Sequence, residues 1–115
     1  MRVQAKGQDG REERRVIVEY IRYTIADEQQ EAFVEAYRQA AEPLDASAHC
    51  LSYELSRCTE EPGSYILRIE WDSAEGHMQG FRRSPEFRRF FRHIQPYVGD
   101  IQEMRHYELT GVRSG

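Results

Sequence analysis

The chain has 115 residues, of which 39% are hydrophobic and 31% are charged, and its formal net charge at pH 7 is −4. This length is typical of one globular domain, and the acidic balance argues against a nucleic-acid-binding protein. The longest apolar runs contain only a few residues, whereas a membrane-spanning helix needs about 20, so no membrane contact is predicted. No signal-peptide pattern is present, so we expect a cytoplasmic protein whose two cysteines stay reduced.

The N-terminal half predicts a tail, a strand and a helix. Residues 1–15 carry almost no apolar side chains and predict a mobile tail, which leaves residues 16–112 for a folded domain. The sequence VIVEYIRYTI at 16–25 is rich in β-branched and aromatic residues and predicts the first strand. A helix follows, with Asp27 expected as its N-cap and Pro43 expected to end it.

The C-terminal half predicts three strands and a helix in two pieces. Strands are predicted over residues 48–58 and 65–71, and the last strand over residues 101–109. Alternation in the second strand predicts that Leu51 and Tyr53 share a face, with Cys50 and Cys58 on the other. Those cysteines are eight residues apart along one strand, too far apart for a disulfide. Two helix starts are predicted between the third and fourth strands, a capping box at Asp72 and an N-cap at Ser84 followed by Pro85.

This element order predicts the fold class. The sequence β-α-β-β-α-β is typical of the α+β ferredoxin-like sandwich built on a split βαβ unit, whose helices cover one face of an antiparallel sheet. The first predicted strand is apolar on both faces, so the second face of the sheet also needs a cover. We therefore expect a homodimer in which two sheets pack face to face.

No short catalytic motif is present in the sequence. A phosphate-binding glycine loop, a nucleophile elbow and HExxH are all lacking, and the four histidines lack metal-ligand spacing, so no metal site is predicted. The arginines around Ser84 are interpreted as a solvated helix face. Aromatic residues around Trp71, Phe81 and Phe91 predict an apolar pocket between the third strand and the helices. A packed core with tyrosine hydroxyls at its rim is the alternative.

The run Trp71-Asp72-Ser73-Ala74-Glu75 and the later FRRSPEF at 81–87 resemble the antibiotic biosynthesis monooxygenase domain. The resemblance covers about residues 16–110 and implies a dimeric α+β barrel. Some members of that family oxygenate phenols or quinol-like compounds without metal or flavin, and others degrade haem. The haem degraders use an Asn on the first strand and a Trp followed ten residues later by a His. Trp71 matches, whereas Phe81 stands at the His position and the first strand has no Asn.

The resemblance implies a cofactor-independent monooxygenase that uses dioxygen and a small phenol- or quinol-type substrate. Such a reaction needs a base near its working pH and a group that stabilises the substrate oxygen as it becomes anionic. Only one of the two tyrosines on the first strand is expected to face the pocket. The predicted catalytic residues are His77, Tyr20 and Glu19, and the predicted substrate-binding residues are Trp71, Phe81, Tyr23, Arg22, His49 and Phe91. The alternatives are a non-catalytic small-molecule-binding dimer and a haem-binding protein that uses His77.

Overall fold

The computed structural model describes residues 15–114, so the predicted tail lies, except for its last residue, outside the described part of the chain. Four strands are formed, β1 (Ile17–Thr24), β2 (Cys50–Arg57), β3 (Ser64–Trp71) and β4 (Ile101–Glu108). The two main helices are α1 (Gln30–Ala46) and α2 (Pro85–Ile94). A five-residue π-helical turn at Gly76–Gly80 and three short 3-10 turns at Asp27–Gln29, Phe81–Arg83 and Gln95–Asp100 complete the described chain.

The sheet is antiparallel and has the strand order β2-β3-β1-β4. In the register of this sheet, Ile21 of β1 lies between Leu67 of β3 and Met104 of β4. This topology confirms the predicted α+β ferredoxin-like fold, with both helices packed against one face. Within residues 15–114, no helix combines the length and apolar composition needed to cross a membrane.

The core lies between the inner face of the sheet and the two helices. Its centre is the ring of Phe33 on α1, which contacts Tyr23, Tyr65 and Tyr97 edge-on at centroid distances of 4.8, 4.9 and 5.2 Å. Edge-to-face pairs of this kind stabilise a fold by about 0.5–1.5 kcal/mol beyond the burial of their apolar area. The aromatic cluster therefore fixes α1 over the middle of the sheet.

The alternation of β1 determines which tyrosine faces the core. Glu19, Ile21 and Tyr23 point to the helix side and are buried, with exposed fractions of 3%, 7% and 0%. Tyr20 and Arg22, two residues apart on β1, point to the opposite face of the sheet. There Arg68 Nε donates a hydrogen bond to the Tyr20 hydroxyl at 3.2 Å. The prediction that only one of the two tyrosines faces the pocket is therefore correct, and the inward residue is Tyr23.

A β-bulge near the start of β2 overturns the predicted shared face of Leu51 and Tyr53, because Tyr53 packs against the core together with Cys50. Cys50 pairs with Trp71 and Ser52 pairs with Glu70, so Leu51 is an extra residue on this strand. A bulge shifts the alternation by one residue, which places Cys50 on the inner face and leaves Leu51 53% exposed. Both cysteines are free thiols, as their spacing predicts.

Helix α1 begins and ends differently from the prediction. Asp27 lies within a 3-10 turn whose N-cap is Ala26, and its carboxylate accepts a hydrogen bond from Gln30 Nε2 at 3.1 Å, so it does not cap the helix. Pro43 does not end the helix, which continues to Ala46 with Pro43 and Leu44 fully buried. A proline in the last turn removes one backbone hydrogen bond, and burial of these two side chains offsets that loss.

The helical segments after β3 correct one predicted cap and confirm the other. Ser73, rather than Asp72, caps the first segment, because its Oγ accepts a hydrogen bond from the Gly76 backbone N–H at 2.8 Å. At the second start, Ser84 Oγ accepts from the Phe87 N–H at 3.2 Å and Pro85 is the first helical residue, as predicted.

Candidate functional site

The π-helical turn directs His77 into the protein. Two glycines in the turn, Gly76 and Gly80, allow it to pack closely against the ring of His49. The ring of His49 lies against Gly76 and Gly80, where a Cβ atom would overlap Asp72 and His49. His49 Nδ1 and Asp72 Oδ2 are 3.0 Å apart and form a hydrogen bond that holds this ring. Single π-helical turns are frequent at functional sites. Here the turn places His77, which is only 2% exposed, over the inner face of the sheet.

His77 belongs to a compact polar cluster at the end of the sheet. Its ring stacks on Trp71 with centroids 4.4 Å apart and 6° between the planes. Trp71 Nε1 donates a hydrogen bond to Glu19 Oε1 at 3.0 Å. His77 Nδ1 and His106 Nε2 are 3.2 Å apart, and each histidine has a ring nitrogen 3.6 Å from a Glu19 oxygen. Three strands and the π-helical turn thus contribute one side chain each to this cluster.

Burial perturbs the protonation of this cluster. Desolvation raises the pKa of Glu19 above its usual range, although the Trp71 hydrogen bond and the charges of His106 and Arg82 act in the opposite direction. Desolvation, together with the charges of His106 and Arg82, lowers the pKa of His77 to about 4. At neutral pH the His77 ring is therefore uncharged.

An apolar cavity of about 220 Å³ adjoins the cluster, between β1, β4 and α2. Glu19 and His77 form part of its wall, and Met104 and Val98, which are 49% and 38% exposed, lie at its mouth. Arg82 is also at the wall, with its guanidinium carbon 4.9 Å from the centroid of the Phe87 ring. The remaining lining is apolar or aromatic: Ile21, Tyr23, Phe81, Phe87, Phe90, Phe91, Ile94 and Ile101.

The cavity gathers five of the nine predicted site residues, which are Glu19, Tyr23, His77, Phe81 and Phe91. The other four do not line it. Trp71 lies behind His77 and acts on the cavity only through the side chains it contacts. His49 packs against the glycines of the π-helical turn. Tyr20 and Arg22 lie on the outer sheet face, because alternate residues of a strand point to opposite sides.

Two residues of the site were not singled out from the sequence. His106 lies in a β4 segment with little apolar character, yet the antiparallel pairing of β1 and β4 places it directly opposite Glu19. Arg82 was grouped with the arginines of the solvated helix face, but the 3-10 turn at Phe81–Arg83 turns it toward the cavity. The only sequence signal for His106 was the fold itself, which makes the first and last strands neighbours.

The same cluster could hold a metal ion. Glu19, His77 and His106 each offer one ligand atom, and these atoms all lie within 4.8 Å of one another.

A haem does not fit the site as built. Both ring nitrogens of His77 face protein groups, and the cavity is smaller than the roughly 300–1,000 Å³ typical of pockets for drug-sized ligands.

The sequence of residues 16–93 matches the family model described as antibiotic biosynthesis monooxygenase. This chain belongs to the antibiotic biosynthesis monooxygenase family. The match runs from β1 into α2, and therefore contains Glu19, Trp71 and His77 but not His106.

This family member resembles one curated protein in sequence and several solved structures in fold, all at low sequence identity. It is 29% identical over 79 residues to the uncharacterised protein YczJ of Bacillus subtilis, a match that covers 69% of this chain and 83% of YczJ. A crystal structure of a conserved protein from Methanosarcina mazei has a TM-score of 0.72 at 18% identity, covering 86% of this chain and 97% of the other. A Bordetella bronchiseptica protein, provisionally named an antibiotic biosynthesis monooxygenase, has a TM-score of 0.68 at 21% identity, covering 84% and 98%.

Proposed function

We propose that this chain is a cofactor-independent monooxygenase that acts on a small phenol- or quinol-type substrate. The observation that carries the proposal is the position of Glu19. Glu19 is 3% exposed and forms part of the wall of an otherwise mainly apolar cavity, beside His77 and Arg82. A buried base at the wall of a mainly apolar cavity suits the removal of a phenolic proton, because a substrate that fills the cavity displaces water from the base.

Glu19 is the proposed general base. The Trp71 N–H occupies Oε1, which leaves Oε2 to accept the hydroxyl proton of a substrate in the cavity. Burial raises the pKa of the Glu19 carboxyl, which makes it a stronger base than an exposed glutamate. Arg82, at the same wall, supplies the positive charge that would stabilise the substrate oxygen as it becomes anionic.

The proposed chemistry balances without an external reductant. The phenolate passes one electron to dioxygen, and the resulting superoxide and phenoxyl radical combine to form a C–O bond at the ring carbon. The peroxide takes up the proton held by Glu19. The O–O bond then breaks as the hydrogen on that carbon leaves, so that a carbonyl and one water are formed. The substrate supplies all four electrons, and one oxygen atom of dioxygen remains in the quinone product.

The dimensions of the cavity limit the proposed substrate. At about 220 Å³ the cavity lies below the range typical of drug-sized ligands, so it suits one or two aromatic rings. Phe81, Phe87 and Phe91 offer flat apolar surfaces against which such rings can pack.

A homodimer is part of this proposal. The outer face of the sheet carries Tyr20 and Tyr107 in edge-on contact at 5.4 Å, together with the exposed Ile66. Tyr107 is 48% exposed and Ile66 39% exposed, and the helices leave this face uncovered. Packing of two such faces would bury these side chains and leave one cavity on the outer side of each sheet.

Oxygen consumption tests the proposed function. Wild-type protein and the Glu19→Gln variant would be assayed with a panel of phenols, naphthols, hydroquinones and anthrone-type compounds, using isotopically labelled dioxygen to follow one atom into the product. Loss of a general base predicts a fall in kcat of about 100-fold or more in Glu19→Gln. Glu28→Gln removes an exposed carboxylate and serves as the control with unchanged turnover.

The absence of labelled product across the panel would overturn the enzymatic proposal. Calorimetric binding of the same compounds without turnover would instead support a non-catalytic small-molecule-binding dimer. Turnover that survives Glu19→Gln unchanged would retain the oxygenase and reject Glu19 as its base.

A further inference from the structure

We propose that Glu19, His77 and His106 bind a divalent transition-metal ion, of which Zn²⁺ is the simplest probe. The three side chains come from β1, the π-helical turn and β4, and their ligand atoms lie within 4.8 Å of one another. Metal binding by this cluster does not depend on the proposed oxygenase activity.

The distances within the cluster are close to those around a single ion. Protein ligands lie about 2.0–2.2 Å from Zn²⁺, so two ligand atoms of one ion are about 3.0–3.5 Å apart. His77 Nδ1 and His106 Nε2 are 3.2 Å apart, and His106 Nε2 is 3.6 Å from Glu19 Oε2. Small side-chain shifts are therefore enough to place the three ligand atoms around one ion.

An unsatisfied carboxylate oxygen indicates where the ion would bind. Glu19 is almost fully buried, and its Oε1 accepts the Trp71 N–H. Within the part of the chain that the structure describes, Oε2 accepts no hydrogen bond, because 3.6 Å to His106 exceeds the usual range. Buried polar groups are nearly always paired, and a cation at this point would satisfy Oε2 together with the lone pairs of both histidines.

Trp71 holds two of the three ligands in place. Its N–H fixes the Glu19 carboxylate, and its indole stacks on the His77 ring. Outer contacts of this kind orient metal ligands and contribute to metal affinity. The site is therefore organised before an ion arrives.

The type of ligand selects the type of ion. Two imidazole nitrogens and one carboxylate oxygen suit Zn²⁺, Fe²⁺ or Co²⁺ rather than Mg²⁺ or Ca²⁺, which prefer oxygen ligands. Three protein ligands also leave positions open, and Glu19 and His77 both border the cavity from which a small molecule could reach the ion. Arg82 is the nearby positive charge that opposes the cation, so an anionic ligand at the open position would strengthen binding.

An ion at this site would compete with the proposed role of Glu19. Coordination uses the Oε2 lone pair that would accept the substrate proton, so a bound ion would inhibit turnover. The metal-loaded and metal-free proteins are thus expected to differ in oxygenase activity.

Metal titration tests the proposal directly. The full chain, without an affinity tag and stripped with a chelator, would be titrated with Zn²⁺ by calorimetry and with Co²⁺ by visible absorption. We expect one ion per chain and a Co²⁺ spectrum typical of nitrogen and oxygen ligands. Removing a ligand in His106→Gln is expected to weaken binding at least about tenfold.

His93→Gln is the matched control, because His93 lies on α2 outside the cluster. Its affinity should equal that of wild type. Unchanged affinity in His106→Gln, equal losses in both variants, or no binding at all would overturn the metal site.

In the oxygen assay, Zn²⁺ should inhibit wild type and His93→Gln, whereas residual turnover of His106→Gln should be insensitive to Zn²⁺. Metal binding without any oxygenase activity would reject only the proposed function, and turnover without metal binding would reject only this inference.

Discussion

The indole of Trp71 and the imidazole of His77 lie almost parallel, with ring centroids 4.4 Å apart and 6° between their planes. The same indole donates its N–H to the buried carboxylate of Glu19 at 3.0 Å. One side chain at the end of β3 therefore positions a residue of β1 and a residue of the π-helical turn. This relationship makes Trp71 a positioning residue of the cavity rather than part of its wall.

Replacing Trp71 by Phe should destabilise the fold chiefly through Glu19. The variant keeps a ring beside His77 but leaves a buried carboxylate without its hydrogen-bond donor, a loss that usually destabilises by about 1–3 kcal/mol. Urea denaturation followed by circular dichroism measures the free energy of unfolding. Tyr53→Phe is the control, because it removes an exposed hydrogen bond to Asp45 and should change stability by less than about 0.5 kcal/mol. If Trp71→Phe lost equal stability in wild type and in Glu19→Met, which has no acceptor for the indole N–H, the hydrogen bond would not be the cause.

Gly80→Ala should destabilise the π-helical turn although alanine favours helices. The new Cβ would overlap the His49 ring, which must then move and break its hydrogen bond to Asp72. Overpacking of this kind typically destabilises by about 1–3 kcal/mol. Thermal unfolding measures the effect, and adding His49→Ala should recover part of the loss. Gly99→Ala, with open space around its new Cβ, is expected to be nearly neutral, and a comparable loss there would contradict the steric explanation.

Arg82→Met should lower oxygenase activity more than Arg83→Met. Both side chains are exposed, but Arg82 borders the cavity, where its charge would stabilise the anionic substrate oxygen, whereas Arg83 donates to Gln79 at 2.7 Å. Loss of one such charge-stabilising group typically reduces kcat about 100-fold. Steady-state oxygen uptake by the two variants gives the comparison. Equal activities would remove Arg82 from the proposed mechanism.

The paired hydroxyls of Tyr23 and Tyr37, 2.6 Å apart, predict a loss of stability in strong alkali. Burial raises the pKa of Tyr23 to about 12 and raises that of Tyr37 well above the usual value of 10. Above pH 10 the unfolded chain releases these protons while the folded chain retains them. The free energy of unfolding should therefore fall between pH 10 and pH 12, by up to about 1.4 kcal/mol per pH unit for each tyrosine.

Denaturant titrations at pH 9, 10 and 11 check this dependence. The double variant Tyr23→Phe/Tyr37→Phe should show a shallower fall over the same range, because neither ring can then lose a proton. An identical slope in wild type and the double variant would show that other groups cause the alkaline loss.

A charge on the outer sheet face should disrupt the proposed dimer. Light scattering is expected to give twice the 13.6 kDa chain mass for wild type and the single chain mass for Ile66→Asp. Met78→Asp places the same charge at another exposed apolar residue, on the π-helical turn, and should leave the mass unchanged. A wild-type mass of one chain at micromolar concentration would contradict the dimer.

The sequence by itself determined the fold class, because its elements have distinct periods and recognisable ends. The segment rich in β-branched and aromatic residues that forms β1 and the Ser84-Pro85 helix start both depend on neighbouring residues alone, and both match the structure. The errors at Asp27 and Pro43 arose where packing of a whole helix outweighed a local terminal signal. Leu51 was misplaced because it is the extra residue of a bulge, which breaks the alternation between Cys50 and Ser52.

Only the tertiary structure decided the composition of the candidate site. Glu19 and His106 are 87 positions apart in the sequence, and they meet because β1 and β4 pair in the sheet. His77 joins them because two glycines let a π-helical turn approach His49. A single turn of this kind leaves no repeating hydrophobic pattern in the sequence from which it could be predicted. Local physics thus specifies elements from short stretches of sequence. A cluster assembled from four separate elements depends on register, bulges and close packing, which are set only when the whole domain folds.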